Sequence, residues 1–272
     1  MKRKYLLILV ATLSVLSVKS QLPTARIDSA MKVAYEYGIF NGNILIAKSN
    51  TVLYQKSFGF ADNTKDRALN PDTKFDIGSI SKEFNGVGIM IFKEKGLLTL
   101  ETSVSELFPE FADWAKKVKI KHLINYTSGI PKLSWNSPAG NDSLLYVDLK
   151  KLQALDFEPG TRYDYNYINV YLQHRIIERL SKSSYANFIK DNIFIPAGMK
   201  QAIVDYPTTS ADMAKAFDND GIATSYPDNF KGWVRLTALD LYLWEKALWN
   251  RKIISEQSLK ELAVAFGSGE SS

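Results

Sequence analysis

The sequence predicts an α+β fold, in which an antiparallel sheet is flanked by helices and accompanied by a helical subdomain. Two observations carry this prediction. The strand-like runs lie early, at 42–48 and 51–58, whereas helical patterns dominate afterwards, and such segregation along the chain is typical of α+β proteins. The 272 residues are 46% hydrophobic and 12% aromatic, which is the composition of a folded chain with room for one large domain or for two small ones that share a core.

The first half of the chain supplies the strands and the most buried helix. Apolar residues at helical spacing predict an amphipathic helix over residues 23–37. The runs Gly42 to Lys48 and Thr51 to Phe58 are separated by Ser49-Asn50, so we predict a hairpin. The pattern from Ser79 to Lys95 predicts a mostly buried helix closed by Gly96.

The second half is mainly helical. It contains a short strand or helix within 113–125, a turn-rich stretch at 132–164, helices at 167–181, 185–193 and 238–249, and a surface excursion at 206–232. No convincing strands are predicted after residue 132, and a lone hairpin is marginal in water. We therefore expect the closing strands of the sheet to be missing, which would make 21–272 a domain that is incomplete at its C-terminus.

Residues 1–20 have the pattern of a secretory signal peptide. A basic start precedes the short apolar run from Tyr5 to Leu16, and small residues at Val18 and Ser20 fit a cleavage site. Cleavage predicts a secreted or periplasmic protein, and an uncleaved N-terminal anchor is the alternative. The leader carries four of the 34 basic residues and none of the 29 acidic ones, so 21–272 has a net charge near +1. This balance argues against nucleic acid as a partner.

The composition also excludes several kinds of chemistry. The chain has no cysteine and two histidines, His122 and His174, so disulfides and thiolate or histidine metal centres are not expected. No P-loop, dinucleotide-binding glycine motif or zinc-protease motif is present, and we expect no cofactor and no metal.

Ser79-Ile80-Ser81-Lys82 is the strongest chemical motif. At positions i and i+3 of a helix, a serine hydroxyl and a lysine amine lie on one face within reach of each other. Serine is a weak nucleophile unless a base lies beside it, and a desolvated lysine can act as that base. A serine at a helix start also lies in the positive field of the helix dipole, which favours an oxyanion there.

The same S-x-x-K spacing occurs in Ser29-Ala30-Met31-Lys32, inside the first amphipathic helix. We interpret that copy as a solvated serine and lysine without function. The Ser79 copy differs because Phe75-Asp76-Ile77-Gly78 precedes it and places the serine where a turn enters a buried helix.

The segment from Phe75 to Phe84 resembles the active-site segment of the serine β-lactamase-like hydrolases, which include class C β-lactamases, penicillin-binding D-alanyl-D-alanine peptidases and esterases. The resemblance extends over roughly residues 27–262 through further segments in family order: Gly42 to Asp62, His122 to Pro131, Pro159 to Tyr165, Ile193 to Met199 and Thr237 to Leu241. It implies a β-lactamase/transpeptidase-like fold, with Ser79 as nucleophile and Lys82 beside it.

The family's second motif is Tyr-x-Asn, whose tyrosine shuttles a proton beside the serine. Counted from Pro159-Gly160, the tyrosine position is Tyr165, but Tyr167 stands where the motif has asparagine. A two-residue slip would instead make Tyr167-Ile168-Asn169 the motif. Tyr185-Ala186-Asn187 also has the spacing, but it is predicted to lie in the middle of a helix. The resemblance therefore assigns Ser79, Lys82 and Tyr165 as catalytic, with Tyr167 as the alternative tyrosine.

The family's third motif, Lys-Thr-Gly or His-x-Gly, is absent, because no glycine in the chain has Lys, His or Arg two residues before it. We interpret the sequence as C-terminally truncated.

The resemblance implies a secreted serine hydrolase acting through an acyl-enzyme on Ser79. The substrate would be a small molecule or peptide: a peptidoglycan peptide, a β-lactam, an ester or a D-amino-acid peptide. Cell-wall peptidoglycan is the candidate macromolecular partner. The alternatives are a non-catalytic descendant that binds peptidoglycan or a protein partner, and an inactive truncated fragment.

Overall fold

The computed structural model describes residues 24–133, 142–218, 220–224 and 231–263. Its helices are α1 (Thr24–Glu36), α2 (Ser81–Glu94), α3 (Val104–Leu107), α4 (Trp114–Lys117), α5 (Ile120–Ile124), α6 (Asp142–Lys151), α7 (Tyr167–Ser181), α8 (Tyr185–Ile189), α9 (Ile195–Ala197), α10 (Ala238–Trp249) and α11 (Glu256–Leu262). Its strands are β1 (Gly42–Lys48), β2 (Thr51–Phe58), β3 (Phe75–Asp76), β4 (Ile203–Val204) and β5 (Val234–Leu236). The expected signal peptide at 1–20 and the polar end at 266–272 lie outside the described residues.

The predicted hairpin is present, and its bounds match the prediction. β1 and β2 pair antiparallel from Gly42 opposite Phe58 to Lys48 opposite Thr51. Ser49 and Asn50 both have positive φ, at 47° and 66°, as a tight two-residue hairpin turn requires. In the described part of the chain, β1 and β2 form a two-stranded sheet with no third strand.

A second sheet differs from the sequence prediction. β3, β5 and β4 form a three-stranded antiparallel sheet in that order, and two of these strands lie after residue 132, where no convincing strands were predicted. They are only two or three residues long, too short for a periodic pattern to appear. β5 is fully buried in the centre of the sheet.

The core is built around α2 and α7. Ten of the fourteen residues of α2 are buried, from Ser81 to Phe92. Gly88 allows α7 to approach closely, since a Cβ added there would lie 2.8 Å from Ile177 Cδ1. Aromatic stacking ties other helices to α2: the rings of Phe84 and Trp244 of α10 lie 4.3 Å apart. The predicted mixed architecture of helices and antiparallel strands is confirmed.

Several smaller elements depart from expectation. The stretch 113–125, predicted as a short strand or helix, forms two short helices, α4 and α5. The helix predicted at 185–193 begins as α8 and continues into a π-helical turn over Lys190–Phe194. Helices α3, α6, α9 and α11 were not predicted. Parts of the turn-rich stretch and of the surface excursion, 134–141, 219 and 225–230, lie outside the described residues. A search of the described residues finds no helix with the length and apolarity needed to cross a membrane.

Candidate active site

Ser79 lies in a tight turn between β3 and α2. The turn is a single 3₁₀ segment, Gly78–Ile80, that leads directly into α2. Asp76 of β3 stabilises it: one carboxylate oxygen accepts a hydrogen bond from the Gly78 N–H at 2.9 Å, and the other pairs with the Arg235 guanidinium at 3.0 Å. Ser79 is therefore presented by a turn that is fixed to the central strand of the second sheet, and it is exposed to solvent.

The Ser79 hydroxyl contacts both side chains that the sequence assigned to it. Lys82 Nζ donates a hydrogen bond to Ser79 Oγ over 2.8 Å. Ser79 Oγ and the Tyr165 hydroxyl are also 2.8 Å apart and share a hydrogen bond. The structure thus brings together Ser79, Lys82 and Tyr165, although Tyr165 is 86 residues away from the serine in the sequence.

Tyr165 is positioned by the start of α7. The next residue, Asn166, caps that helix: its side-chain oxygen accepts from the Ile168 N–H at 3.0 Å, and its amide donates to the Ile130 carbonyl at 2.7 Å. The Tyr165 ring stacks on Tyr126, with centroids 5.1 Å apart. Burial raises the pKa of Tyr126, so the Tyr126 side chain is neutral where it packs against the Tyr165 ring.

The two alternative tyrosines have other partners. The Tyr167 hydroxyl donates to the Lys231 carbonyl at 3.3 Å, and the residue is largely buried. Tyr185 begins α8, not the middle of a helix as the sequence suggested, and its buried hydroxyl hydrogen bonds Asn85. Of the three tyrosines, Tyr165 is the one whose hydroxyl contacts Ser79.

Trp233 is a further residue at the site that sequence reasoning missed. Its ring centroid lies 5.1 Å from Lys82 Nζ, on the short segment that leads into β5. It also lines, with Lys82, Asn85 and Tyr167, a cavity of about 20 Å³, which has room for about one water molecule. Trp233 belongs to no recognised motif, and its approach to Lys82 depends on tertiary packing.

Neither histidine lies at the serine. His122 Nδ1 accepts from the Lys119 N–H at 3.1 Å, and burial, reinforced by the charges of Lys121 and Lys119, lowers the pKa of His122 to about 4. His174 is buried, which lowers its pKa to about 3. Both are therefore neutral at physiological pH. Within the described ranges, no group of three or more histidine, aspartate or glutamate side chains is arranged to hold a metal ion.

A serine that contacts a lysine three residues later and a distant tyrosine, at the start of a buried helix, is the arrangement of an active-serine hydrolase. Residues 24–270 match the family described as Beta-lactamase. This chain belongs to the Beta-lactamase family, and the predicted family and fold are confirmed.

Individual relatives agree with this assignment. The chain is 33% identical to Penicillin-binding protein 4* of Bacillus subtilis (strain 168) over 262 residues, which are 85% of this chain and 57% of that protein. The octameric penicillin-binding protein homologue from Pyrococcus abyssi has a similar fold, with a TM-score of 0.75 and 23% identity over 92% of this chain and 62% of that one. A class C β-lactamase matches with a TM-score of 0.72 and 18% identity over 86% and 66% of the two chains. The chain thus spans between half and two thirds of the length of these proteins.

Proposed function

We propose that this chain is a secreted serine hydrolase that acts through an acyl-enzyme on Ser79. The observation that carries the proposal is the pair of 2.8 Å hydrogen bonds that joins Ser79 Oγ to Lys82 Nζ and to the Tyr165 hydroxyl. A serine becomes nucleophilic when a neighbouring group can accept its proton, which the Tyr165 oxygen can do directly and the Lys82 ammonium can do only as it passes on a proton of its own.

In the first step, Ser79 Oγ attacks the substrate carbonyl carbon and the carbonyl electrons move to its oxygen. The Ser79 proton enters the relay formed by Lys82 and Tyr165, which in turn protonates the leaving nitrogen or oxygen as its bond to carbon breaks. The positive end of α2 favours the developing oxyanion. In the second step, water attacks the Ser79 ester, the acid product leaves and the hydroxyl is restored.

The substrate belongs to the carbonyl compounds that form such an acyl-enzyme: a peptidoglycan peptide, a β-lactam, an ester or a D-amino-acid peptide. The relative from Bacillus subtilis is named for binding penicillin, which supports the β-lactam and peptidoglycan candidates. The Tyr167 side chain stands where the family motif has asparagine, and Asn166 is used as a helix cap. This difference favours a broader ester or peptide preference over strict recognition of a β-lactam amide.

The same difference supports a second candidate, a non-catalytic protein that binds peptidoglycan or a partner through this cleft. The two candidates differ in whether Ser79 forms a covalent bond. Secretion rests on the leader pattern at 1–20 and is tested separately, by determining the N-terminus of the protein that cells export.

The deciding experiment is intact mass spectrometry of the purified chain after exposure to a fluorophosphonate and, separately, to a penicillin. We expect one adduct per chain with the fluorophosphonate, lost in Ser79→Ala and retained in Ser29→Ala, which removes the serine of the other S-x-x-K copy. A penicillin adduct would assign β-lactam-like substrates, whereas fluorophosphonate labelling alone would favour esters. A folded chain that forms no adduct with either reagent would contradict the hydrolase and favour the binding protein.

A further inference from the structure

The Lys82 ammonium lies between two aromatic faces. Its Nζ is 5.2 Å from the Tyr165 ring centroid and 5.1 Å from the Trp233 ring centroid. Cations within about 6 Å of a ring centroid are attracted by the negative face of the ring. A lysine side chain has a flexible four-carbon stem and samples many rotamers when it is free. The two ring contacts and the hydrogen bond to Ser79 Oγ hold the end of the Lys82 side chain in one position.

Trp233 is held in place through its backbone. The Asp205 carboxylate accepts hydrogen bonds from the N–H groups of Gly232 and Trp233, at 2.8 and 3.2 Å. On the other side, the Val234 N–H donates to Ser81 Oγ at 3.0 Å. Since Ser81 directly precedes Lys82 on α2, this bond fixes the tryptophan and the lysine to each other.

The segment before Trp233 also rests on a fixed surface. Gly232 has a φ of 94°, and a Cβ added there would lie 2.1 Å from His174 Cε1, so the backbone lies directly against the histidine ring. His174 is itself hydrogen bonded, through Nε2, to Asn85 Oδ1 at 3.0 Å. The same Asn85 oxygen accepts from the Tyr185 hydroxyl. The buried, hydrogen-bonded group of His174, Asn85 and Tyr185 therefore supports the backbone that carries Trp233.

We propose that Trp233 is a positioning residue whose indole face holds the Lys82 ammonium against Ser79. The inference rests on the proposed function, because Lys82 must act on Ser79 for its position to affect the reaction. Trp233 acts through Lys82 and touches neither Ser79 nor the substrate carbonyl in this role. An aromatic face is what the role requires, so phenylalanine should substitute for tryptophan where leucine cannot.

The test combines a structural and a kinetic measurement on the full chain. The ε-methylene protons of Lys82, assigned by comparison with Lys82→Arg in a ¹³C-lysine-labelled sample, should be shifted upfield because they lie over aromatic rings. Trp233→Leu should move them downfield and slow fluorophosphonate labelling of Ser79 roughly tenfold, the size expected for loss of one cation–π contact. Trp233→Phe should retain most of both signals, and Trp249→Leu, which changes an exposed tryptophan on α10, should change neither.

Three results would overturn the proposal. The first is a Lys82 resonance that stays in place in Trp233→Leu, since the indole would then not lie over the lysine. The second is labelling by folded Trp233→Leu at the wild-type rate, and the third is equal slowing in Trp233→Phe and Trp233→Leu. Failure of the wild-type chain to label contradicts the proposed hydrolase, and the position of the Lys82 resonance then still decides whether Trp233 holds the lysine.

Discussion

The two S-x-x-K copies have the same residue types at the same spacing and different surroundings. In α1, Ser29 Oγ donates to the Ala25 carbonyl at 2.9 Å, and Lys32 lies 3.8 Å from Glu36 on the helix surface. The two side chains of this copy therefore have separate partners, Ala25 for the serine and Glu36 for the lysine. In the second copy, Lys82 Nζ donates to Ser79 Oγ, which also meets Tyr165.

The difference lies in where each serine enters its helix. Ser29 is within α1, so its hydroxyl bonds back to the carbonyl four residues earlier, as serines inside helices commonly do. Ser79 precedes α2 in a 3₁₀ turn, so its hydroxyl is directed away from the helix backbone and toward Lys82. The α1 helix has no buried residue, whereas most of α2 is buried. The spacing supplies the pair, and the turn before the helix turns it into a candidate catalytic site.

The largest expected effect comes from removing the lysine of each copy. Lys82→Ala should slow fluorophosphonate labelling of Ser79 by about 10²–10⁴-fold, the usual contribution of a positioned acid or base. Lys32→Ala should leave the rate unchanged, because Lys32 is exposed and pairs with Glu36 on the surface of α1. Equal rates for the two variants, measured on folded protein by mass spectrometry, would refute the distinction between the copies.

The next effect separates the two candidate tyrosines. Tyr165→Phe removes the hydroxyl that contacts Ser79 and should reduce the labelling rate by about 10²-fold. Tyr167→Phe removes a hydroxyl that donates to the Lys231 carbonyl and should leave the rate near that of the wild type. A larger loss in Tyr167→Phe than in Tyr165→Phe would mean that the second motif is shifted by two residues.

A smaller effect concerns the backbone beneath the second copy. Gly232→Ala places a methyl group against the His174 ring and should lower the free energy of unfolding by ~1–3 kcal/mol more than a matched control does. The control is Gly38→Ala, just after α1, where φ is also positive at 70° but the methyl group meets open space. Urea unfolding of both variants measures the difference, and equal losses would show that His174 yields to the methyl group.

The smallest effect is a pH dependence of stability caused by His122 of α5. Because the pKa of His122 is about 4 in the folded chain and about 6.5 when unfolded, the unfolded state binds the proton first as the pH falls. This contribution to stability is present above pH 6.5 and is lost between about pH 6.5 and 4. His122→Gln should flatten the dependence of the urea midpoint on pH in that window, and an unchanged slope would assign the acid sensitivity to other groups.

Much of the fold could be predicted from local patterns. The hairpin, α7 and α10 have the predicted bounds, because each combines a clear apolar pattern with a turn or capping signal, such as Asn166 before α7 and Thr237 before α10. The short strands β3, β4 and β5 could not be predicted, because two or three residues carry no period. Their pairing is fixed by tertiary contacts such as Asp76 with Arg235.

The residues of the candidate site also differ in how far the sequence predicts them. Ser79 and Lys82 are close in sequence, so helical geometry alone predicts their contact. Tyr165 needed the resemblance to a family, because no local rule links it to a serine 86 residues away. Trp233 could not be found from the sequence, since its position depends on backbone bonds to Asp205 and Ser81 that only the folded chain reveals.

The Asp76 carboxylate connects the two sides of the site. It joins the turn that carries Ser79 to Arg235, and Arg235 stands only two residues after Trp233. The turn that carries Ser79 and the tryptophan that lies beside Lys82 are thus both attached to β5. We therefore expect a displacement of β5 to act on the Ser79 turn, through Asp76 and Arg235, and on the start of α2, through the hydrogen bond from Val234 to Ser81.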